Sequence, residues 1–130
     1  MTTKTTNRLP EQFRRIRLEL ARERAHPEGE HNSGYILVAP LDSGGRIDAA
    51  CVKAHKESCR VVRFEHARTE DIGHLVRIGG GWKFHYDIEG ADEDEAGYRL
   101  GEERFVPGEY VSIKSKGVMH TYKVISVAPL

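Results

Sequence analysis

Apolar and polar residues alternate along most of this chain, and a period of two is the pattern of half-buried β-strands. The alternation is regular over residues 15–20, and short β-rich apolar runs follow at 35–39 and 60–64. Strong helix formers make a helix over residues 9–24 the alternative for the first segment, but a helix would leave Leu18 off the apolar stripe. We therefore predict a strand there.

One helix is predicted, over residues 49–58. Asp48 precedes it and can act as its N-cap, and Val52 and His55 are available to pack. The polar, turn-rich stretch 26–34 is predicted to be an exposed connection between the first two strands.

A glycine triplet marks the first of two predicted hairpins, which joins strands 72–78 and 82–87. A three-residue loop at 79–81 would place the large apolar side chains on one face. The pairs would be Ile78 with Trp82, Val76 with Phe84, and His74 with Tyr86. This register sends His74 and His85 to opposite faces.

The second predicted hairpin pairs residues 110–114 with 118–127. A two-residue turn at Lys116 and Gly117 makes Val111 face Tyr122 and Ile113 face His120. His120 then lies on the apolar side, where its ring needs a hydrogen-bond partner.

Two further short strands are predicted at 97–100 and 104–106, after an acidic loop at 87–95. Seven to eight short strands and one helix predict an α+β domain that is mainly antiparallel. A strongly bent sheet or partly open β-barrel, plugged at one end by the helix, would protect the strand edges. Residues 1–13 are predicted to be a flexible tail and 14–130 a single mainly-β domain.

Composition narrows the functional classes. The chain has 130 residues, with 20 Lys plus Arg and 20 Asp plus Glu, and this balance argues against both a generally basic nucleic-acid binder and an acidic disordered chain. No apolar run is long enough for a membrane span and the polar start does not resemble a signal peptide, so a cytoplasmic location is expected. Cys51 and Cys59 match neither a redox nor a zinc-ribbon spacing and are expected to be reduced thiols.

Charge is uneven along the chain. Residues 1–24 carry seven Lys or Arg against three Glu, and residues 65–105 carry five against eleven acidic residues. Opposite charges of two copies could therefore meet, which makes a homodimer one hypothesis.

Four segments carry a resemblance to a known family: residues 34–42 (GYILVAPLD), 45–48 (GRID), 82–87 (WKFHYD) and 95–113 (EAGYRLGEERFVPGEYVSI). Together they resemble a small family of uncharacterised bacterial proteins with no assigned activity, over most of the chain after about residue 14. The resemblance implies a compact bacterial cytosolic domain and supplies no mechanism or site residue.

Histidines are the main candidates for chemistry. No two of the seven are separated by two or four residues, the offsets typical of metal ligands on one element, so no metal and no cofactor is expected. A zinc site that combines His74 with His120 is the alternative. His85 and Asp87 share one face of a strand, which is half of an acid–base pair, but no nucleophile motif accompanies them.

The leading hypothesis is a non-enzymatic binding or interaction domain with an aromatic-lined groove for a protein or small-molecule partner. Its predicted ligand-binding residues are His74, Trp82, His85, Tyr86, Asp87 and His120. One alternative is a hydrolase or metal-binding enzyme that uses these histidines. The other is single-stranded nucleic-acid binding through the N-terminal arginines, which the zero net charge disfavours.

Overall fold

Eight antiparallel strands form the protein, as a computed structural model shows. The structure describes residues 9–22, 27–78, 81–87, 95–97, 100–115 and 117–130. The strands are β1 (Phe13–Leu20), β2 (Glu30–Pro40), β3 (Arg60–Glu65), β4 (Arg68–Ile78), β5 (Gly81–Tyr86), β6 (Glu95–Gly97), β7 (Tyr110–Ser115) and β8 (Val118–Pro129).

The curled sheet meets itself. Each strand pairs with the next in the chain, and β8 pairs back with β1, so the ring is a barrel. Among the described residues, β6 and β7 are joined through the pair Ala96 with Lys114. The predicted antiparallel, strongly bent sheet is confirmed, but the chain is mostly sheet and the α+β description applies only loosely.

The first strand is confirmed, and the second strand begins earlier than predicted. β1 turns Ile16 and Leu18 inward, and both are fully buried. β2 already begins at Glu30, within the stretch predicted as a connection, because Gly34 pairs with Glu19 and extends the β1–β2 ladder. This part of the strand has polar side chains on the outer face of the sheet, so a search for apolar runs does not detect it.

The predicted helix has the expected start and an earlier end. Helix α1 comprises Ala49–Ala54, and the Asp48 side chain accepts a hydrogen bond from the Cys51 N–H at 3.1 Å. His55 ends the helix, and a 3-10 turn follows at Lys56–Ser58. Val52 points into the core, and the Phe13 and His55 rings meet edge to face at 5.7 Å, so α1 helps to close this end of the barrel.

The register predicted for the first hairpin is wrong by one residue. Ile78 pairs with Gly81, so the connection comprises residues 79–80 instead of three glycines. The pairs are therefore Arg77 with Trp82, Leu75 with Phe84, His74 with His85, and Gly73 with Tyr86. The rings of Trp82, Phe84 and Tyr86 still point inward as predicted.

The reason for the shift is the composition of the inner face of β4. Asp71, Gly73 and Leu75 point inward, and only the last of these is apolar and large. Asp71 is acceptable there because Arg63 on β3 pairs with it, and Gly73 leaves room for Tyr86. His74 and His85 consequently share the outer face, which contradicts the predicted placement on opposite faces.

The register predicted for the second hairpin is confirmed. Val111 pairs with Tyr122 and Ile113 with His120 across β7 and β8. Gly117 in the turn has φ +80°, a conformation that glycine adopts without steric cost.

Residues 104–106 do not form the predicted strand. Phe105 is buried in the core, and its N–H donates to the Gly45 carbonyl at 2.8 Å, so this segment covers the end of the barrel near α1. Of the strand predicted at 97–100, Gly97 belongs to β6, Leu100 lies in a turn and residues 98–99 lie outside the described residues. Most of the predicted acidic loop, 88–94, also lies outside them.

Packed side chains fill the middle of the barrel. The largest fully buried ones are Tyr35, Phe13, Phe84, Phe105, Ile16, Leu18, Leu37, Leu100, Ile113, Val61, Val111 and Val124. Space for ligands is therefore confined to the ends and the outer wall. No helix among the described segments is long and apolar enough to cross a membrane.

Candidate functional site

The six predicted ligand-binding residues lie in three different places. His74, His85 and Asp87 lie on the outer face of β4 and β5 or directly after it, Trp82 and Tyr86 point into the core, and His120 lies on the inner face of β8. The structure therefore assembles three of the predicted residues and separates the others.

The outer cluster is built around His74. Its Nδ1 lies 2.8 Å from Asp87 Oδ1, and its Nε2 lies 3.0 Å from Arg60 Nη1. Arg60 also donates to Asp87 Oδ2 at 3.3 Å, which closes a triangle of three side chains. The sequence pattern suggested His85 as the partner of Asp87, but His74 on the neighbouring strand takes that position.

Geometry fixes the tautomer of His74. A guanidinium group only donates hydrogen bonds, so the Nε2 atom facing Arg60 must accept, and Nδ1–H donates to Asp87. The lone pair that a general base would use is thus occupied by Arg60. Two hydroxyl side chains, Ser112 and Thr121, could act as nucleophiles, but they pair with each other on β7 and β8, and β6 lies between β7 and β5.

Trp82 is one of the inward-facing aromatic side chains. Within the described part of the chain its Nε1–H has no hydrogen-bond partner, although the atom is buried. The Arg77 guanidinium lies over the Trp82 ring, 4.9 Å from its centroid. With Phe84 and Tyr86, Trp82 belongs to the packed core, so these rings do not line a groove as predicted.

A shared metal site of His74 and His120 is contradicted. The barrel wall separates the two, because His74 is on the outer face of β4 whereas His120 faces inward opposite Ile113. Among the described residues, no group of three or more His, Cys, Asp or Glu side chains could hold a metal ion.

A groove beside the outer cluster is the strongest candidate for a binding site. It lies between α1 and the last part of β4, and its volume is about 640 Å³. We call it the α1–β4 groove; its lining residues are Ala49, Ala50, Val52, Lys53, Lys56, Glu57, His74, Leu75, Val76 and Arg77.

The late start of β3 creates this groove. β3 begins at Arg60, opposite His74, so residues 75–78 extend beyond it along β4. The Leu75 N–H still donates to the Cys59 carbonyl at 3.0 Å. Alternation along the strand then directs the peptide group of Arg77 toward the groove, where no described strand pairs with it.

The two cysteines lie close to the groove but do not form part of its lining. Both are free, and burial raises the pKa of Cys59 to about 12. Burial, and to a smaller extent the charge of Asp48, also raises the pKa of Cys51. Neither thiol therefore has the lowered pKa of a catalytic nucleophile.

Two of the three arginines of β1, Arg14 and Arg17, are engaged with their own chain. Arg17 donates to Glu19 at 2.7 Å and lies over the Phe64 ring at 4.6 Å. Arg14 donates to the carbonyls of Glu11 and Phe13. These contacts hold the side chains against the barrel and do not favour a free basic face for nucleic acid.

No protein-family model, curated protein or solved structure matches the chain. Any function must therefore be inferred from the geometry and chemistry of the site itself. Sequence reasoning missed the α1–β4 groove. Of its lining residues, only His74 was predicted to bind a ligand. The groove depends on where β3 begins, and the basic residues Lys53 and Lys56 were the available signal, because they mark the exposed side of the predicted helix.

Proposed function

We propose that this protein is a non-enzymatic binding domain and that the α1–β4 groove takes an amphiphilic anion. The observation that carries the proposal is a groove of about 640 Å³ with an apolar floor and a basic rim. This volume falls within the range of about 300–1,000 Å³ that is usual for small-molecule sites.

The floor of the groove suits an apolar body. Val52 and Leu75 are buried in the core cluster and Val76 is half-buried, so the wall beneath the ligand is aliphatic. A chain or ring placed there would cover apolar surface, and this contributes about 25 cal/mol per Å² covered.

The rim of the groove selects the charge. Lys53, Lys56 and Arg77 carry positive charge, and Glu57 is the acidic residue among the lining side chains. Lys53, Lys56 and Arg77 are exposed, so they attract a carboxylate or sulfonate at the edge while the apolar part lies on the floor. Each exposed pair is worth about 0.2–1 kcal/mol.

Octanoate is a suitable probe and octan-1-ol its neutral control. Titration of the isotopically labelled protein should shift the amide signals of Val76 and Arg77 with octanoate, and more weakly with the alcohol. Replacing both groove lysines by glutamine (K53Q/K56Q) should weaken octanoate binding about tenfold, because two exposed pairs contribute about 1.4 kcal/mol together. K114Q/K123Q, which also removes two positive charges, on the outer face of β7 and β8, is the charge-matched control.

The proposal fails if octanoate and octan-1-ol bind equally well, or if octanoate binding is the same in K53Q/K56Q and K114Q/K123Q. A further variant, Ala50→Trp, should block the groove by volume, since Ala50 is exposed at its edge. Octanoate shifts that persist in Ala50→Trp would place binding elsewhere.

The free edge of β4 favours a second candidate, an extended segment of a partner protein. Such a segment could pair with the Arg77 peptide group and add a strand beside β4. A short alternating peptide of valine and glutamate and its N-methylated analogue distinguish the two candidates. Strand addition requires the peptide N–H groups, so only the unmethylated peptide should bind if a strand is added. A site for amphiphiles does not use these N–H groups and would not distinguish the unmethylated peptide from the N-methylated one.

A further inference from the structure

A second cavity lies at the opposite end of the barrel from α1. It has a volume of about 280 Å³ and is walled by the aromatic residues Tyr35 and Tyr122, with Phe64, His66 and His120 also in its lining. An eight-stranded barrel can hold one small ligand at such a place, and barrel mouths are frequent ligand sites. We call this cavity the barrel mouth.

Arg63 in the barrel mouth is neutralised by two carboxylates. Its Nε and Nη2 donate to Asp71 Oδ2 at 2.9 and 2.6 Å, and its Nη1 donates to Glu65 Oε1 at 2.6 Å. Asp71 is buried, whereas Glu65 is partly exposed at the edge of the cavity. An anion would therefore have to displace Glu65 from Arg63 before it could bind.

The remaining charge of the barrel mouth is negative. Glu30 also lines the cavity, and its Oε1 accepts a hydrogen bond from the Asn32 N–H at 3.1 Å. The cavity lining thus contains two carboxylates, Glu30 and Glu65, and Arg63 is also paired with buried Asp71. The second oxygen of Glu30 and that of Glu65 accept no hydrogen bond from the described residues, so a cation can approach them without breaking a bond.

We propose that the barrel mouth binds a small organic cation, of the substituted ammonium class. Aromatic walls attract such cations through the negative faces of their rings, and nearby carboxylates add charge complementarity. The site is independent of the α1–β4 groove and requires ligands of the opposite charge.

Choline and 3,3-dimethylbutan-1-ol provide the test, because the two have nearly the same shape and differ in charge. Calorimetric titration of the full chain should show choline binding at least tenfold more tightly than the neutral analogue. E30Q and E65Q should each weaken choline binding about fivefold, since each removes one charge and retains an oxygen acceptor for its present hydrogen bond. E109Q, at the exposed residue directly before β7, should leave choline binding unchanged.

Equal affinity for choline and the neutral analogue would overturn the proposal, as would the absence of choline binding up to about 20 mM. Choline binding that is unchanged in both E30Q and E65Q would also overturn it. The comparison of the two ligands uses the unaltered chain, so the test stands even if a variant folds poorly. Octanoate binding to the groove would be unaffected by any of these results.

Discussion

Gly73 is a position at which one added methyl group should damage the barrel. A Cβ atom there would lie 2.2 Å from the His85 carbonyl oxygen and 2.8 Å from Tyr86 Cα, and both neighbours are backbone atoms. To reach ordinary van der Waals separation, β4 and β5 would have to move apart by about 1 Å. The adjacent hydrogen bond from the Asp87 N–H to the Ile72 carbonyl, 2.9 Å long, would lengthen with them.

We expect Gly73→Ala to lower the free energy of unfolding by about 3 kcal/mol. About 2 kcal/mol comes from two weakened ladder hydrogen bonds and about 1 kcal/mol from looser packing of Tyr86. In a domain of this size the melting temperature should fall by about 10 °C.

Urea and thermal unfolding of the variant measure this effect. Gly44→Ala is the matched control, because its nearest neighbour is the movable end of the Arg46 side chain at 3.2 Å. Gly44→Ala should stay within about 0.5 kcal/mol of the unaltered protein. If Gly73→Ala were equally mild, the pairing of Gly73 with Tyr86, and with it the β4–β5 register, would be refuted.

Three further outcomes are expected. Arg63→Met should lower the free energy of unfolding, measured in urea, by about 3 kcal/mol because it leaves buried Asp71 unpaired. Adding Asp71→Ala should recover part of this loss. A double variant that loses more stability than the two single variants together would contradict the prediction. Burial raises the pKa of Cys59 to about 12, so this thiol should resist iodoacetamide until urea unfolds the chain. Rapid labelling of Cys59 in the native protein, located by peptide mass spectrometry, would disprove its burial. Hydrogen bonds, first from the Gln12 side chain and then from the Cys51 N–H, lower the pKa of Asp48 below 3.8. The carboxylate therefore stabilises the fold above that pH, and this stabilisation is lost as the pH falls through the folded-state pKa. Asp48→Asn should lack this loss of stability in an acid titration, and an acid unfolding curve identical to that of the unaltered protein would count against the prediction.

Local patterns predicted much of the sheet. Alternation and a two-residue turn with Gly117 were sufficient for the β7–β8 register, because both strands place large apolar residues on a single face. The cap of α1 was also predictable, since an aspartate directly before a run of small residues is a local signal. These features depend on neighbours in the sequence and need no knowledge of distant contacts.

The β4–β5 register could not be derived in the same way. Its inner face contains Asp71 and Gly73, and an apolar pattern assigns neither to a core. Arg63 on another strand makes Asp71 tolerable there, and Tyr86 occupies the space beside Gly73. Three successive glycines also left the loop length open. Tertiary partners decided what the local pattern could not.

The candidate site was predicted only in part for a related reason. His74 and Asp87 were named, but their contact depends on the corrected register, which brings His74 to the outer face. The α1–β4 groove depends on β3 starting at Arg60, and the barrel mouth on the closure of eight strands. Neither property is encoded in a short motif.

Because Arg77 stacks on Trp82, the fluorescence of this tryptophan should respond to ligand binding in the α1–β4 groove. Trp82 is the single tryptophan in the sequence, so all indole emission comes from this ring. Arg77 belongs to the groove rim and lies over the indole, so a bound anion that draws the guanidinium away changes the electric field at the chromophore. Occupancy of the groove should therefore be readable from intrinsic fluorescence, with no label attached.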